Sequence, residues 1–445
     1  MEESKETFFA LSTPVGRSAT ATIRISGEVA LAALLQLSKK EIKEIKHSKT
    51  FVTDIYSKNN CLIDNVIAVY YKNPKSYTGE DLVEIHTHGN PIIVNALSRE
   101  LSLMGIRIAE PGEFTKTAFC NKKLDLIQAE SILTLINSKS SAGVSLSLNS
   151  ASGSLTAFLK NTRKELVFAS SLLEYELDVS EIDNQKKTQE AVQKTLVKTL
   201  RKTEKLLSSG QSSRLLVSGA RIVICGKPNV GKSTLFNSIL KHNRSIVTSL
   251  AGTTRDTVEE NLILNNQSVV FIDTAGIRDT KNIVERKGIE RTNEEIDSAD
   301  IVLFMVDANE TKPPKDIIKN AIVIYNKIDL LQKSQLRVLK TNSKNSFFVS
   351  AKNKTGINKL LSKIEKTLFK THIKDNDLFL TSSRQEQALY NIKKEIKPLV
   401  YNKEKNLELL AHHTTNAIGF FDNLLGKTST DDILENVFSS FCVGK

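Results

Sequence analysis

Eight residues in the middle of the chain have the types and spacing needed to hold a nucleoside triphosphate. The stretch GKPNVGKS (226–233) fits the pattern G-x-x-x-x-G-K-[ST] and lies between an apolar strand candidate, RIVICG, and a predicted helix. In this pattern backbone N–H groups surround the phosphates, Lys232 reaches the β and γ oxygens, and the Ser233 hydroxyl binds Mg²⁺. One such match is moderately specific, so the surrounding motifs decide its meaning.

Shorter motifs follow in the order that is typical of a GTPase: GTTRD (252–256), DTAG (273–276), NKID (326–329) and SAK (350–352). DTAG, NKID and SAK end apolar strand candidates, so their side chains are expected at one edge of a sheet. Asp273 is suited to hold Mg²⁺ through water, and Asn326 and Asp329 are suited to the guanine edge. The predicted GTP-binding residues are Asn229, Val230, Gly231, Lys232, Ser233, Thr234, Thr248, Ser249, Leu250, Ala251, Gly252, Thr253, Thr254, Asp273, Thr274, Ala275, Gly276, Asn326, Lys327, Asp329, Ser350, Ala351 and Lys352.

The means of placing the attacking water is less evident from the motifs. Ile277 follows Gly276, at the position where a Ras-type enzyme has its water-orienting glutamine. No arginine finger can be assigned from the sequence. Asn229 offers a side-chain carbonyl that suits a cation, and a potassium ion there would replace the finger's charge electrostatically. Alternatively, Asn229 only caps the loop.

Composition restricts the class of protein. The 445 residues are 40% hydrophobic, which is enough for about three domains with cores. The net charge of +12 suits nucleic acid, and lysine-rich compositional drift is the alternative. No apolar run approaches the roughly 18–20 residues of a membrane span, the N-terminus lacks a signal-peptide pattern, and the cysteines do not form a disulfide framework. We therefore expect a soluble cytoplasmic protein without a membrane partner.

Changes of periodicity divide the chain into four predicted segments: an α+β segment at 1–118, helices at 119–213, an α/β segment at 214–376 and helices at 377–445. ATATIRIS (19–26) alternates, which predicts a strand with Arg24 and Ser26 on one face. PIIVNALSRELSLMG predicts a helix closed by Gly105. SSGQSSR (208–214) is typical of a small-polar linker. The simplest architecture inserts the α/β segment into a helical domain.

Stretches outside the nucleotide motifs resemble the MnmE (TrmE) family of tRNA-modification GTPases over nearly the whole chain. They are STPVGRSATATIRISG (12–27), SYTGEDLVEIHTHG (76–89), EPGEFTKTAFCNKKLDLIQAE (110–130), VERKGIER (284–291) and FCVGK (441–445). The resemblance implies an α+β N-terminal domain that binds a tetrahydrofolate and dimerises, a discontinuous α-helical domain, and an inserted α/β P-loop GTPase domain.

The resemblance also implies ligands for each cofactor. The implied sets are Asn229, Thr248, Leu250 and Thr253 for potassium, Ser233 and Thr254 for Mg²⁺, and Arg24, Glu84, Lys123 and Lys445 for the folate. The family's water-organising glutamate corresponds to Glu285, which would act in catalysis beside Lys232. A solvated carboxylate at a helix start is the alternative for Glu285. The cations suit the folate carboxylates, and Glu84 suits pteridine N–H groups.

The implied reaction modifies carbon 5 of the wobble uridine (position 34) of certain tRNAs. The resemblance implies that a homodimer works jointly with the FAD-dependent partner MnmG, in a heterotetramer. The one-carbon unit would come from 5-formyl- or 5,10-methylene-tetrahydrofolate, giving a carboxymethylaminomethyl or aminomethyl group. Rival interpretations are a GTP-driven switch in RNA or ribosome assembly without one-carbon chemistry, and a folate-dependent transferase acting on a small molecule.

Histidine and cysteine residues near the implied folate site leave alternatives open. Because side chains alternate along a strand, Glu84, His86 and His88 are expected on one face. The two histidines could bind a metal ion there, but the sequence offers no third ligand beside them. Cys442 is a poor prenylation site because Gly444 is not aliphatic and Lys445 is not a usual final residue. Its thiol is either a nucleophile for carbon 6 of the uridine or a buried, inert side chain.

Overall fold

A computed structural model describes residues 6–41, 43, 45–178, 185–242, 258–264, 267–273, 295–310, 321–343, 346–368, 378–427 and 431–445. The strands are β1 Phe8–Leu11, β2 Ser18–Ser26, β3 Thr50–Tyr56, β4 Leu62–Tyr71, β5 Leu82–Gly89, β6 Arg107–Ile108, β7 Ala220–Gly226, β8 Val258–Leu264, β9 Gln267–Asp273, β10 Ile301–Asp307, β11 Ile322–Asn326 and β12 Phe347–Phe348. The helices are α1 Ala30–Ser38, α2 Pro91–Leu103, α3 Glu113–Cys120, α4 Leu126–Asn137, α5 Ser141–Ala151, α6 Ser154–Asp178, α7 Gln185–Ser218, α8 Lys232–His242, α9 Lys333–Asn342, α10 Ile357–Leu368, α11 Ser383–Tyr401, α12 Leu407–Leu424 and α13 Asp431–Phe438.

The chain divides into two compact units. The first comprises Met1–Leu133, Thr156–Val167 and Thr415–Lys445, and the second comprises Thr134–Leu155 and Phe168–Thr414. The domain boundaries predicted at 118, 213 and 376 stay predictions. In the part of the chain that the structure describes, no helix has both the length and the apolarity that crossing a membrane requires.

The first unit is built on a six-stranded sheet with the order β3-β4-β5-β2-β1-β6. All neighbours are antiparallel except β1 and β6, which are parallel. In β2, Ile23 and Ile25 are fully buried in a core shared with Leu34 of α1 and Leu97 of α2. Because side chains alternate along a strand, Arg24 points to the other face, as the sequence predicts.

The second sheet has the order β12-β11-β10-β7-β9-β8 and is parallel except for the β8–β9 pair. The strands of this sheet have continuous apolar sequences because both faces of a parallel sheet are covered by other elements. On one face, Ile224 and Leu303 pack with Leu235 of α8 in one core. Gly226 and Asn326 are the last residues of β7 and β11. Because the carboxyl ends of parallel strands meet at one edge of the sheet, both residues lie at that edge. The predicted fold class, an α+β domain, helices and an α/β P-loop domain, is confirmed.

The linker predicted at 208–214 is wrong, because α7 runs unbroken from Gln185 to Ser218. The segment's weak helix propensity is overridden by packing on both sides. Gly210 is buried, and a Cβ there would lie 3.4 Å from the side chain of Leu380. Leu215 and Val217 are also buried, so the helix continues as part of a core.

Candidate functional site

The loop between β7 and α8 has a backbone that only particular residues tolerate. Gly226 and Gly231 have φ angles of 142° and 97°, and Asn229 has a left-handed backbone conformation with a φ of 62°. A Cβ on Gly226 would lie 2.4 Å from the Met305 carbonyl oxygen, and one on Gly231 the same distance from the Asn326 amide nitrogen. Gly226 is therefore required for the close approach of the β10 backbone, and Gly231 for that of the Asn326 side chain.

Lys232 begins α8 and lies across the loop that precedes it. Its Nζ donates to the carbonyl oxygens of Gly226 and Lys227, both at 3.0 Å, and the residue is 7% exposed. Asn229, Ser233 and Thr234 are exposed, and Val230 is buried. Since the free N–H groups and dipole of a helix N-terminus favour anions, this cation and the start of α8 together are suited to a phosphate group.

The Asn326 side chain connects three of the predicted GTP motifs. Its Nδ2 donates to the carbonyl oxygen of Val230 at 2.8 Å, and its Oδ1 accepts from the N–H of Ala351 at 2.9 Å. The residue is 2% exposed, so both bonds are shielded from water. In this way the motif NKID fixes the phosphate loop against the SAK loop, and the sequence predicts the convergence but not the bonds.

The remaining base-pocket residues lie around the same edge. Ser350 is buried, and its Oγ accepts from the backbone N–H of Asn353 at 3.1 Å. Asp329 lies in the 3₁₀ turn Ile328–Leu330 and is exposed, as is Lys352. The exposed side chains of Asp329 and Lys352, beside the buried side-chain amide of Asn326, suit a planar, polar ligand such as a nucleotide base.

Asp307, which ends β10, is a residue that the motif analysis missed. Lys327 Nζ donates to its Oδ2 at 2.7 Å, and Asn309 donates to its Oδ1 through both its backbone and its side chain. Burial acts to raise the pKa of Asp307, but the bonds from Lys327 and Asn309 outweigh it and lower the pKa overall. Its place at the end of a neighbouring parallel strand was the signal in the sequence.

Several predicted residues lie outside the described part of the chain. They are Thr248, Ser249, Leu250, Ala251, Gly252, Thr253, Thr254, Thr274, Ala275, Gly276 and Glu285. For Asp273 the backbone is described as the end of β9, and nothing is stated of its side chain. The whole of the implied Mg²⁺ set and all four potassium ligands stay predictions.

Arg24 is the centre of the second candidate site, in the first unit. Arg24 and Glu84 are directly opposite on β2 and β5, and the guanidinium donates to Glu84 Oε1 from Nε at 2.9 Å and Nη2 at 2.6 Å. The guanidinium also lies 5.7 Å from the ring centre of Tyr77 and 5.6 Å from that of Phe114. A half-buried ion pair beside aromatic faces suits a ligand that is planar and polar.

Tyr77 was not predicted as a site residue, although it lies in one of the stretches that resemble the family. Its hydroxyl is 2.9 Å from Thr115 Oγ1. Burial is the main cause that raises the pKa of Tyr77, opposed by the Thr115 bond and the charge of Arg24. The phenol therefore stays neutral and can donate a hydrogen bond.

The residues 442–445 reach the same site. Arg24 Nη1 donates to the carbonyl oxygen of Gly444 at 3.5 Å, and Lys445 is half-buried. A Cβ on Gly444, whose φ is 96°, would lie 2.4 Å from the Leu11 carbonyl oxygen. Beside it, the buried Ser12 hydroxyl has no hydrogen-bond partner among the described residues, and such an orphaned group fits an added polar ligand.

Two expectations for this region are decided by exposure and contacts. Cys442 is exposed among the described residues, so the buried-thiol alternative is wrong. Lys123 Nζ donates to the Pro74 carbonyl oxygen at 2.9 Å, on an exposed surface. This bond does not connect Lys123 to Arg24, so its part in the folate site stays a prediction.

The metal interpretation of the His-Thr-His stretch finds no support. His86 Nδ1 contacts Thr22 Oγ1 at 2.9 Å, and His88 Nδ1 contacts Asp64 Oδ1 at 2.8 Å. Among the described residues no group of three or more His, Cys, Asp and Glu is placed to hold a metal ion. Both histidines instead bind neighbouring strands of the sheet.

The parallel sheet, the glycine-dependent phosphate loop and the Asn326 bridge define a P-loop GTPase domain, attached to an α+β domain and helices. Known sequences place the chain more narrowly. The model described as GTP-binding protein TrmE N-terminus matches residues 7–123, and the MnmE helical domain model matches residues 126–442. The chain belongs to the MnmE family of tRNA-modification GTPases.

Individual relatives match over their full length. The tRNA modification GTPase MnmE of Thermotoga petrophila is 36% identical over 453 residues, covering 99% of this chain and 100% of its own. That of Fervidobacterium nodosum is 37% identical over 458 residues, covering 99% and 98%. The FeoB G-domain from Methanococcus jannaschii covers 34% of this chain and 97% of its own at 23% identity, with a TM-score of 0.24, which is too low to bear on the fold.

Proposed function

We propose that the chain couples GTP hydrolysis to modification of carbon 5 of the wobble uridine of certain tRNAs, using a one-carbon unit from a tetrahydrofolate. The coarser statement, a GTPase of a tRNA-modification family, follows from the family match. The observation that supports the nucleotide part best is the Asn326 bridge, which holds the phosphate loop and base-pocket loop together.

In the G domain, the chain's own residues bind and orient GTP. Lys232 and the N-terminus of α8 would hold the phosphates, and Asn326 and Asp329 the base. Mg²⁺ would be held by Ser233 and Thr254, and its charge would stabilise the terminal phosphate. Potassium would be held by Asn229 with Thr248, Leu250 and Thr253, and would supply the charge of a missing finger. Glu285 would orient the water.

In the first unit, Arg24 and Lys445 would hold the carboxylates of the folate. The Glu84 carboxylate would accept hydrogen bonds from N–H groups of the pteridine, and the Ser12 hydroxyl would donate to or accept from another polar group of the ligand. Because Arg24 already binds Glu84 at 2.6 Å, binding of the folate would exchange or share that ion pair. The exposed Cys442 thiolate would add to carbon 6 of the uridine and break the C5=C6 double bond, so that carbon 5 becomes the nucleophile. Loss of the proton from the substituted carbon 5 would then restore the double bond and expel the thiolate. A homodimer acting with MnmG completes the proposal.

Nucleoside mass spectrometry tests this function directly. The tRNA of a strain that lacks the gene should lose the modified wobble uridine, and expression of the wild-type chain should restore it. An unchanged nucleoside profile in the deletion strain would exclude the proposal and favour the small-molecule transferase.

Titration with 5-formyltetrahydrofolate separates the proposal from a GTP-driven RNA switch. Binding is expected, and removal of Lys445 should weaken it more than Cys442→Ser does, since the thiol is assigned to the uridine. The absence of any folate binding would favour the switch.

The choice of alkali cation tests the potassium site. GTP turnover should collapse when sodium replaces potassium at equal ionic strength, because the proposal assigns to potassium the charge that an arginine finger would otherwise supply. Equal rates in both salts would leave Asn229 as a loop cap only.

A further inference from the structure

The outer face of α7 is rich in positive charge, and the exposed Glu190 lies beside the basic residues, three positions after Lys187 and four before Lys194. Among the side chains of this helix whose exposure is described, five basic ones are exposed: Lys187, Lys194, Lys198, Arg201 and Lys205. At 100° per residue they all fall within about 40° of one line along the helix. Over 18 residues at 1.5 Å each, the stripe is about 27 Å long. We name these five residues the α7 stripe.

This concentration of charge distinguishes the stripe from lysine-rich drift. The sequence of α7 contains eight Lys and Arg and two Glu, so eight minus two gives +6, half of the chain's +12. The helix has 34 of the 445 residues. Drift would spread the excess evenly along the chain. Like charges at i and i+4, such as Lys194 and Lys198, also oppose helix formation, so the pattern has a local cost.

One flank of the α7 stripe packs against a neighbouring helix. Glu204 lies on a flank and pairs with Lys393 of α11 at 3.0 Å. Gln193, on the same flank, donates to the Leu399 carbonyl oxygen at 3.0 Å. Helix α11 therefore packs along that flank, and it brings two more exposed lysines, Lys394 and Lys397.

Exposed aromatic residues accompany those lysines on α11. Tyr390 is 57% exposed and Tyr401 is 69% exposed, and Lys397 Nζ lies 5.5 Å from the ring centre of Tyr401. Aromatic faces between cations are typical of surfaces that bind nucleic acid. A membrane surface would require an exposed apolar face, but the apolar side chains Leu196 and Leu200 of α7 are buried in the bundle.

We propose that the α7 stripe, with the adjacent face of α11, binds the phosphate backbone of the substrate RNA. The inference rests on the proposed function, because it takes tRNA as the substrate. The contacts are electrostatic and independent of base sequence, so they position the RNA and leave the choice of uridine to the reaction site.

Paired charge-removal variants of the full chain test the stripe. The variant Lys187→Gln, Lys194→Gln and Lys205→Gln removes three charges from it. The matched control, Lys359→Gln, Lys363→Gln and Lys366→Gln, removes three exposed charges from α10. Circular dichroism and thermal unfolding verify that both variants fold. The affinity for an unmodified tRNA transcript is then measured by fluorescence anisotropy at several KCl concentrations.

For the stripe variant, the slope of log K against log [KCl] should become shallower by about 2–3, since each lost phosphate contact removes about 0.7–0.9. The α10 control should keep the wild-type slope. Equal changes in both variants, or none in the stripe variant, would overturn the inference. Stripe-dependent binding to phosphatidylglycerol vesicles that is tighter than to tRNA would also overturn it. These outcomes are independent of the nucleoside profile, whose failure would refute the proposed function instead.

Discussion

Replacing Asn326 with alanine should loosen the G domain by an amount that the structure predicts. The side chain makes two bonds, to the carbonyl oxygen of Val230 at 2.8 Å and from the N–H of Ala351 at 2.9 Å, and is 2% exposed. Each buried partner left without a bond costs about 1–3 kcal/mol. The variant should therefore lose about 2–6 kcal/mol of opening free energy in this region, and should also bind GTP more weakly.

Hydrogen exchange followed by mass spectrometry measures this opening free energy locally. A loss of 2 kcal/mol raises exchange of the β7 and β11 peptides by about thirtyfold at equilibrium. The control Asn353→Ala removes an exposed side chain from the next loop and keeps its backbone bond to Ser350, so exchange should stay near wild type. Exchange in Asn326→Ala within threefold of wild type would refute the reasoning.

Three further predictions concern other features. Gly444→Ala should lower the thermal unfolding temperature and folate affinity, because its Cβ would lie 2.4 Å from the Leu11 carbonyl oxygen; unchanged values would contradict the close approach. The pKa of Asp307 is lowered from 3.8 in the folded state, so its bond to Lys327 stabilises the fold above that pH and is lost as pH falls through the folded pKa. Asp307→Asn should thus destabilise at pH 7 and progressively less as the pH falls below 3.8, and thermal unfolding that shows no decline of the effect towards acid pH would contradict this. Glu285→Ala should lower GTP turnover and leave GTP affinity nearly intact, whereas a comparable loss of affinity would indicate a structural role.

The phosphate loop and strand edge were predictable because their signals are local. The spacing in 226–233 and the apolar runs before each motif depend only on neighbouring residues. The hydrogen bond from Asn326 to Val230 was not predictable, since it joins two loops that are 96 residues apart in the sequence. Only the order of strands in the sheet brings those loops together.

The candidate folate site shows the same limit. Alternation placed Arg24 and Glu84 on known faces of their strands, but their pairing depends on the register between β2 and β5. Propensity failed at 208–214, where burial of Gly210 and Leu215 keeps a serine-rich segment helical. Tertiary contacts therefore decided both the site's ion pair and the helix's length.

The unbroken α7 has a mechanical consequence for the strand it precedes. A single residue, Gly219, separates the end of α7 at Ser218 from the start of β7, the strand that enters the phosphate loop. Its φ of 80° is one that glycine adopts without strain. A helix of 34 residues is about 51 Å long, so a tilt of about 5° about Gly219 moves its far end by about 4 Å. Gly219 is thus the pivot of a long arm, and the seven residues of β7 separate that pivot from the phosphate loop.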